Sequence, residues 1–143
     1  MDVLFTIVLI QAFMIAMVHG HLLGSSYEAK VLERVLREAK EGDPDSVLGV
    51  IDKIGYEKEH FLMNIGDVKG RILDEAIRKR MPKVVVELGG YCGYSAVRIA
   101  RLLVDNAHLY SIEANPFFAS IATKVVKHAG LSHRVTIVVG ESQ

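Results

Sequence analysis

The chain has a single cysteine in 143 residues and no excess of either charge, 17 Lys and Arg standing against 17 Asp and Glu. Each shortage removes a class of protein. One cysteine cannot build an internal disulfide framework. A formal charge of zero leaves no electrostatic footprint for nucleic acid or a strongly anionic surface, so no nucleic-acid partner is expected. The histidines form no metal-ligand pattern: His19 and His21 are two apart in an apolar stretch, and the others are scattered. No Gly-Lys-Ser/Thr follows a Gly-rich run, which excludes a phosphate-cradling P-loop. The length allows one domain at most.

What is present centres on Val84-Val85-Val86-Glu87-Leu88-Gly89-Gly90-Tyr91-Cys92-Gly93-Tyr94-Ser95. The β-branched start reads as a buried strand. Ala96-Val97-Arg98-Ile99-Ala100-Arg101-Leu102-Leu103 reads as the helix after a Gly-rich turn, the first unit of a nucleotide-binding α/β fold. Such a turn lets a ligand approach the backbone, and a helix start offers N–H groups to a carboxylate or phosphate, with Ser95 adding a hydroxyl. Tyr91 occupies the place of the second glycine in the dinucleotide fingerprint, which disfavours a nicotinamide-dependent oxidoreductase. Glu87 at the strand end would repel a pyrophosphate but suits an ammonium group. A ligand with an ammonium and a carboxylate is an amino acid, and S-adenosylmethionine carries one. A second apolar strand, Leu109-Tyr110-Ser111-Ile112, ends in Glu113, 24 positions after Gly89, where a carboxylate accepts hydrogen bonds from ribose hydroxyls. Asn115-Pro116 then opens a helix as cap and first residue. Tyr91 and Tyr94 are candidates to orient a donor, neither being an evident base at neutral pH. Cys92 reads as an activated thiolate at a helix start or, more simply, as a small packed residue.

Around this centre, Val3 to Val18 is apolar apart from Thr6 and Gln11, long enough as a helix for about 24 Å, and an extension through Gly24 would span a bilayer. A cleavable signal competes, although Asp2 stands where a basic n-region belongs. Lys and Arg are absent from both near flanks, so orientation is not legible. Ser25-Ser26-Tyr27-Glu28 fits a capping box before an apolar stripe of Val31, Leu32, Val35, Leu36 and Ala39, with Gly42 as the stop. Asp43-Pro44 starts a second helix with Val47, Leu48, Ile51 and Ile54 inward and Gly55 as the stop. Asp67 caps a third through Ile72, Leu73, Ala76 and Ile77, and Pro82 separates it from the strand. After Asn115-Pro116, the helix face is Phe118, Ile121, Ala122 and Val125, ended by Gly130. Val135 to Val139 reads as a third strand.

The motif Glu87 to Ser95, with Met63-Asn64-Ile65-Gly66-Asp67, Ile112-Glu113-Ala114-Asn115-Pro116 and Val139-Gly140-Glu141-Ser142-Gln143, resembles the catechol O-methyltransferases from about Tyr27 onward. The resemblance implies a Rossmann-like, S-adenosylmethionine-dependent methyltransferase with magnesium and a catechol acceptor, such as a catecholamine or catechol estrogen. It implies Met63, Ile65, Glu87, Gly89, Tyr91, Ser95, Glu113, Gly140, Ser142 and Gln143 as the donor site. Phe61 would line the catechol pocket where the family has a tryptophan, a residue this chain lacks. Glu141 departs from a small residue in the family. The family's magnesium ligands and general-base lysine lie beyond the last residue, so no catalytic or metal-binding residue is expected here.

The expected architecture is therefore residues 1–24 as a signal-anchor and 25–143 as the N-terminal half of a methyltransferase domain, truncated after its third strand. The implied location is a single-pass membrane anchor through residues 3–23, in the endoplasmic reticulum or plasma membrane, or secretion if the segment is cleaved. In the doubly wound order 3-2-1-4-5 the first strand is central, so one of its edges would stay unpaired. Two readings of the chain remain open: part of a catechol O-methyltransferase, or a non-catalytic, membrane-tethered binding or regulatory short form.

Overall fold

The computed structural model describes residues 8–10, 24–57, 62 and 64–140, with 8–10 and 24–26 described as backbone only. Its elements run β1 (Val8–Ile10), α1 (Gly24–Glu38), α2 (Pro44–Tyr56), α3 (Gly66–Arg80), β2 (Val84–Leu88), α4 (Tyr94–Ala100), β3 (His108–Glu113), α5 (Pro116–His128) and β4 (Val135–Val139). The sheet is parallel in the order β1-β2-β3-β4. Strands β2, β3 and β4 with their helices are the expected βαβαβ succession. Parallel neighbours cannot be joined by a tight turn, so each crossover carries a helix.

Alternation along the strands decides what the sheet buries. Val85 and Leu109 are fully enclosed, and every residue of α4 is buried. The opposite face of the sheet holds Val84, Val86 and Leu88, which are half-buried, with Tyr110 and Val138 exposed. Parallel sheets are normally covered on both faces. Here the helices that pack with the strands, α4 and α5, bury one face, and α1, α2 and α3 pack onto α4 and α5 rather than onto the sheet.

The edge of β2 expected to be bare is paired. Val8, Leu9 and Ile10 lie in register with Val86, Glu87 and Leu88. The physical reason is that a central apolar strand presents a full row of unpaired N–H and C=O groups, which a β-branched apolar segment satisfies. This also corrects the expectation of a continuous anchor helix over Val3 to Val18, since its middle is a strand; the rest of that run lies outside the described residues. Among the described residues no helix is long and apolar enough to cross a membrane.

Two predicted caps hold, both followed by proline. Asp43 accepts from the Ser46 N–H at 3.0 Å with Pro44 following, and Asn115 accepts from the Phe117 N–H at 2.9 Å with Pro116 following. Val47, Leu48, Ile51 and Ile54 are buried as expected. Helix α2 continues through Gly55 to Tyr56. Gly130 takes the left-handed conformation expected of a stop. The cap of α3 is displaced: the Asn64 side chain accepts from the Gly66 N–H at 3.1 Å, while Asp67 accepts from the Tyr56 hydroxyl. Glu28 abandons the capping box for a tertiary partner described below. Two apolar stripes are rotated from expectation. Leu36 is exposed on α1. On α3, Ile72 and Ala76 face outward and the buried line is Gly70, Leu73, Asp74 and Ile77.

Asp74 explains the rotation of α3. Its two oxygens accept from Arg98 Nε and Nη2 on α4, both at 2.9 Å, and Oδ2 also accepts from Arg101 Nη2 at 2.7 Å. A Cβ at Gly70 would stand 2.4 Å from the Arg98 guanidinium, so only glycine lets α3 approach this closely. Arg98 Nη1 donates to the Tyr94 hydroxyl at 2.9 Å, which donates to Asp52 on α2 at 2.6 Å. One buried charge network thus fastens α2 and α3 to the helix that follows the Gly-rich turn. Burial alone would raise the Asp74 carboxyl, but Arg101 and Arg98 outweigh it and hold it below the usual carboxylate range.

Asp74→Asn should lower stability by about 3–5 kcal/mol at neutral pH, because it leaves Arg98 buried without its counter-charge. A depressed carboxyl stabilises above its unfolded value near ~4 and loses that contribution as pH falls through the folded one. Denaturant titrations should therefore show the gap between the parent and Asp74→Asn closing in acid; a gap independent of pH would contradict the assignment.

Candidate functional site

The turn between β2 and α4 is built from backbone conformations that few residues tolerate. Gly89 and Gly93 have φ of 81° and 87°, a region glycine enters without the steric cost of a Cβ. At Gly93 a Cβ would also meet Ala122 of α5 at 3.0 Å. Tyr91 is the exception, a non-glycine residue at φ 46°. Such backbone persists only where its surroundings over-determine it, and here they do. The Tyr91 N–H donates to Glu113 Oε2 at 2.8 Å, its hydroxyl donates to Glu28 Oε1 at 2.7 Å, and its ring meets Phe118 edge-on at 4.9 Å.

Glu113 stands at the tip of β3 and is 8% exposed. Its second oxygen accepts from the Asn115 N–H at 2.8 Å, so both oxygens are aimed by backbone amides and each keeps a lone pair. The Gly140 N–H, just past β4, donates to the Glu113 carbonyl at 3.1 Å. Three strand ends therefore meet where the sequence placed the ribose acceptor.

Glu87 is placed differently from expectation. It is 1% exposed, underneath the turn rather than open to it. Its Oε1 accepts from the Ser95 hydroxyl, and its Oε2 from the Ser111 hydroxyl at 2.5 Å. Ser95, expected to face the ligand, thus donates its hydrogen bond to Glu87. Burial pushes the Glu87 carboxyl up, the two hydroxyls pull it back, and Glu113 adds a like charge. A Cβ on Gly90 would lie 2.2 Å from Ser111 Oγ, so the turn rests directly on this buried group.

Glu87, Gly89, Tyr91, Ser95, Glu113 and Gly140 are therefore brought to one end of the sheet. Ile65 is half-buried against the core before α3. Met63, Phe61, Ser142 and Gln143 lie outside the described residues. Burial is the main cause raising the Tyr91, Cys92 and Tyr94 protons beyond reach at neutral pH. Cys92 is a packed thiol, and the activated-thiolate reading fails. No group of three His, Cys, Asp or Glu among the described residues is arranged to hold a metal ion.

Sequence reasoning missed Ser111 and Glu28. Ser111 lies opposite Glu87 in the β2–β3 register, a pairing that the two strand assignments already contained. Glu28 carried a competing local explanation as a capping residue, and its partner is 63 positions away. Its second oxygen is buried with no hydrogen-bond partner among the described residues.

A parallel sheet with a Gly-rich turn after β2 and a carboxylate fixed at the tip of β3 defines the class: an α/β domain of the nucleotide-binding, doubly wound kind. The family is narrower. Residues 28–143 match the model of the family described as O-methyltransferase, and the chain belongs to that family. It is 47% identical over 131 residues to a catechol O-methyltransferase of Bos taurus, covering 92% of this chain and 48% of that protein. It is 35% identical over 136 residues to a transmembrane O-methyltransferase of Homo sapiens, covering 94% and 46%. Among solved structures, the O-methyltransferase TomG of Streptomyces achromogenes in complex with SAM aligns with a TM-score of 0.58 at 28% identity, over 66% of this chain and 42% of that one. The chain spans about half the length of the curated relatives it matches.

Gly90→Ala should destabilise by about 1–3 kcal/mol, the range for overpacking a filled site. Adding Ser111→Ala should return part of the loss by removing the oxygen the new methyl strikes. Thermal melts of the single and double variants measure this; simple additivity of the two losses would show that Gly90 and Ser111 are not in contact.

Proposed function

We propose that this chain forms the donor-binding part of an S-adenosylmethionine-dependent O-methyltransferase acting on catechols. The observation that carries the reading is Glu113, held by two backbone amides with free lone pairs at a strand tip beside a glycine turn. In this role Glu113 accepts from the two ribose hydroxyls. Gly89 and Gly90 let the amino-acid end of the donor approach the backbone, and Tyr91 holds the turn in shape through Glu28 and Phe118. Met63 and Ile65 border the donor, Gly140, Ser142 and Gln143 enclose its base, and Phe61 lines the acceptor pocket. When bound, S-adenosylmethionine supplies an electrophilic methyl on a sulfonium; the chain's share is to bind and orient it. The resemblance puts the family's magnesium ligands and base lysine outside these residues, and a catechol hydroxyl, which ordinarily titrates near ~10, needs them to ionise at neutral pH. The chain alone is accordingly read as binding the donor without turning over an acceptor. The 47% identity to the bovine catechol enzyme is what favours a catechol as acceptor of the whole protein.

Calorimetry on residues 1–143 should show S-adenosylmethionine binding, weakened by about 1–3 kcal/mol in Glu113→Ala for the loss of charge-assisted bonds. The same protein should transfer no labelled methyl to a catechol with magnesium present. Unchanged affinity in Glu113→Ala would sink the donor site, and magnesium-dependent turnover would sink the division of labour.

A membrane tether through residues 3–23, with residues 1–24 as its own segment and 25–143 as the catalytic half-domain, is a second reading. It is favoured by the likeness to a protein named as transmembrane. The β1 pairing competes with it, since the same residues cannot lie in lipid and on β2. A fusion of residues 1–24 to a soluble reporter should stay with membranes through carbonate extraction if the tether holds. A soluble, full-length reporter would leave β1 as the segment's role, and a shortened one in the medium would identify a cleaved signal.

A further inference from the structure

Glu87 is among the most deeply buried side chains of the protein at 1% exposed, and among the described residues no basic group is paired with it. Among the described residues its hydrogen-bond partners are hydroxyls alone, Ser95 from α4 and Ser111 from β3. A lone carboxylate in such a place is costly unless paired, and neutralisation is the usual escape. The groups around it do not relieve the charge. Glu113 on β3 adds to it. Glu28 on α1 is turned to Tyr91, and Cys92 in the turn is protonated. Arg98 on α4 is committed to Asp74, and the β1 residues alongside, Val8 to Ile10, do not titrate. A serine hydroxyl either donates or accepts, so Ser95 and Ser111 satisfy both a neutral and an ionised Glu87 without moving.

We propose that Ser95, Glu87 and Ser111 form a proton store beneath the Gly-rich turn: Glu87 carries a proton in the empty protein and releases it to solvent when a ligand with a cationic amino-acid end occupies the turn. No covalent bond other than the carboxyl O–H changes. The carboxylic acid becomes a carboxylate facing the ligand's positive charge through the Ser95 hydroxyl, and the proton goes to buffer. The charge interaction is strong because the group is screened from water by the turn itself. Glu87 is a positioning residue in this account, acting through Ser95 and through the turn seated on Ser111. This rests on the donor-site reading above and specifies its electrostatics. Below the pH at which Glu87 ionises in the empty protein, apparent affinity falls by about tenfold per pH unit, as the competent fraction does.

The test is calorimetry of S-adenosylmethionine and S-adenosylhomocysteine binding to residues 1–143 in two buffers of different ionisation enthalpy. It is run at about pH 6, well below the ~7.7–8.0 of an α-amino group, so that the ligand's own ammonium does not titrate. The parent should release a substantial fraction of one proton with both ligands, and Glu87→Gln should bind with a buffer-independent enthalpy. Ser111→Ala, which removes a hydroxyl that favours the anion, should extend proton release to higher pH. It keeps the test decisive if Glu87→Gln does not fold. Binding without proton release in the parent, or a Ser111→Ala profile identical to the parent, overturns the proton store while leaving the donor site standing. Failure of both ligands to bind overturns the donor site and this inference with it.

Discussion

The hydrogen bond from the Tyr91 amide to the Glu113 carboxylate is the constraint on which the site depends. It joins the turn after β2 to the tip of β3, and it holds a non-glycine residue in the left-handed region at φ 46°. Backbone strain of this kind costs of order 1–3 kcal/mol, so it must be outweighed locally. The hydroxyl bond to Glu28, the edge-on contact with Phe118 and the charged acceptor at Glu113 supply that. Through them α1, α5 and β3 all bear on one turn.

Charge burial divides the domain into two regimes. Around Asp74 the buried carboxylate faces two guanidiniums and is held ionised, which fastens α3 to α4. Around Glu87 the buried carboxyl faces, among the described residues, hydroxyls alone. The first arrangement is complete within the protein. The second has no basic partner among the described residues. Burying an unpaired carboxyl here lowers the stability of the empty protein as pH rises, a cost often found at binding sites and offset elsewhere in the fold.

The sheet is asymmetric among the described residues. Its helix-covered face is closed over Val85 and Leu109, while Tyr110 and Val138 stand exposed on the other. Strand β1 satisfies the backbone of the β2 edge but does not cover that second face. Parallel sheets are normally covered on both faces; among the described residues, helices cover only one face of this one.

Much of this was legible before the fold was known. The Val84–Leu88 strand, the glycine turn, the capped starts at Asp43-Pro44 and Asn115-Pro116, and Glu113 at a strand tip are all written locally, because propensity, capping and turn chemistry depend on a few adjacent residues. Tertiary contacts alone decided the rest. Helix α3 turned its Asp74 inward because Arg98 lay 24 positions away; an apolar count cannot foresee that a charged residue will be the buried one. Glu28 gave up a local cap for Tyr91, and Val8–Ile10 became a strand because β2 had an edge to fill. Glu87 proved to lie under the turn and not in it, since the Ser111 that encloses it is brought alongside only by β2–β3 pairing. The sequence determined which residues make the turn and its strand-tip carboxylates; which of those carboxylates is held at the strand tip by backbone amides, and which is sealed beneath the turn, was decided by long-range packing, because burial is a property of neighbours and not of the residue itself.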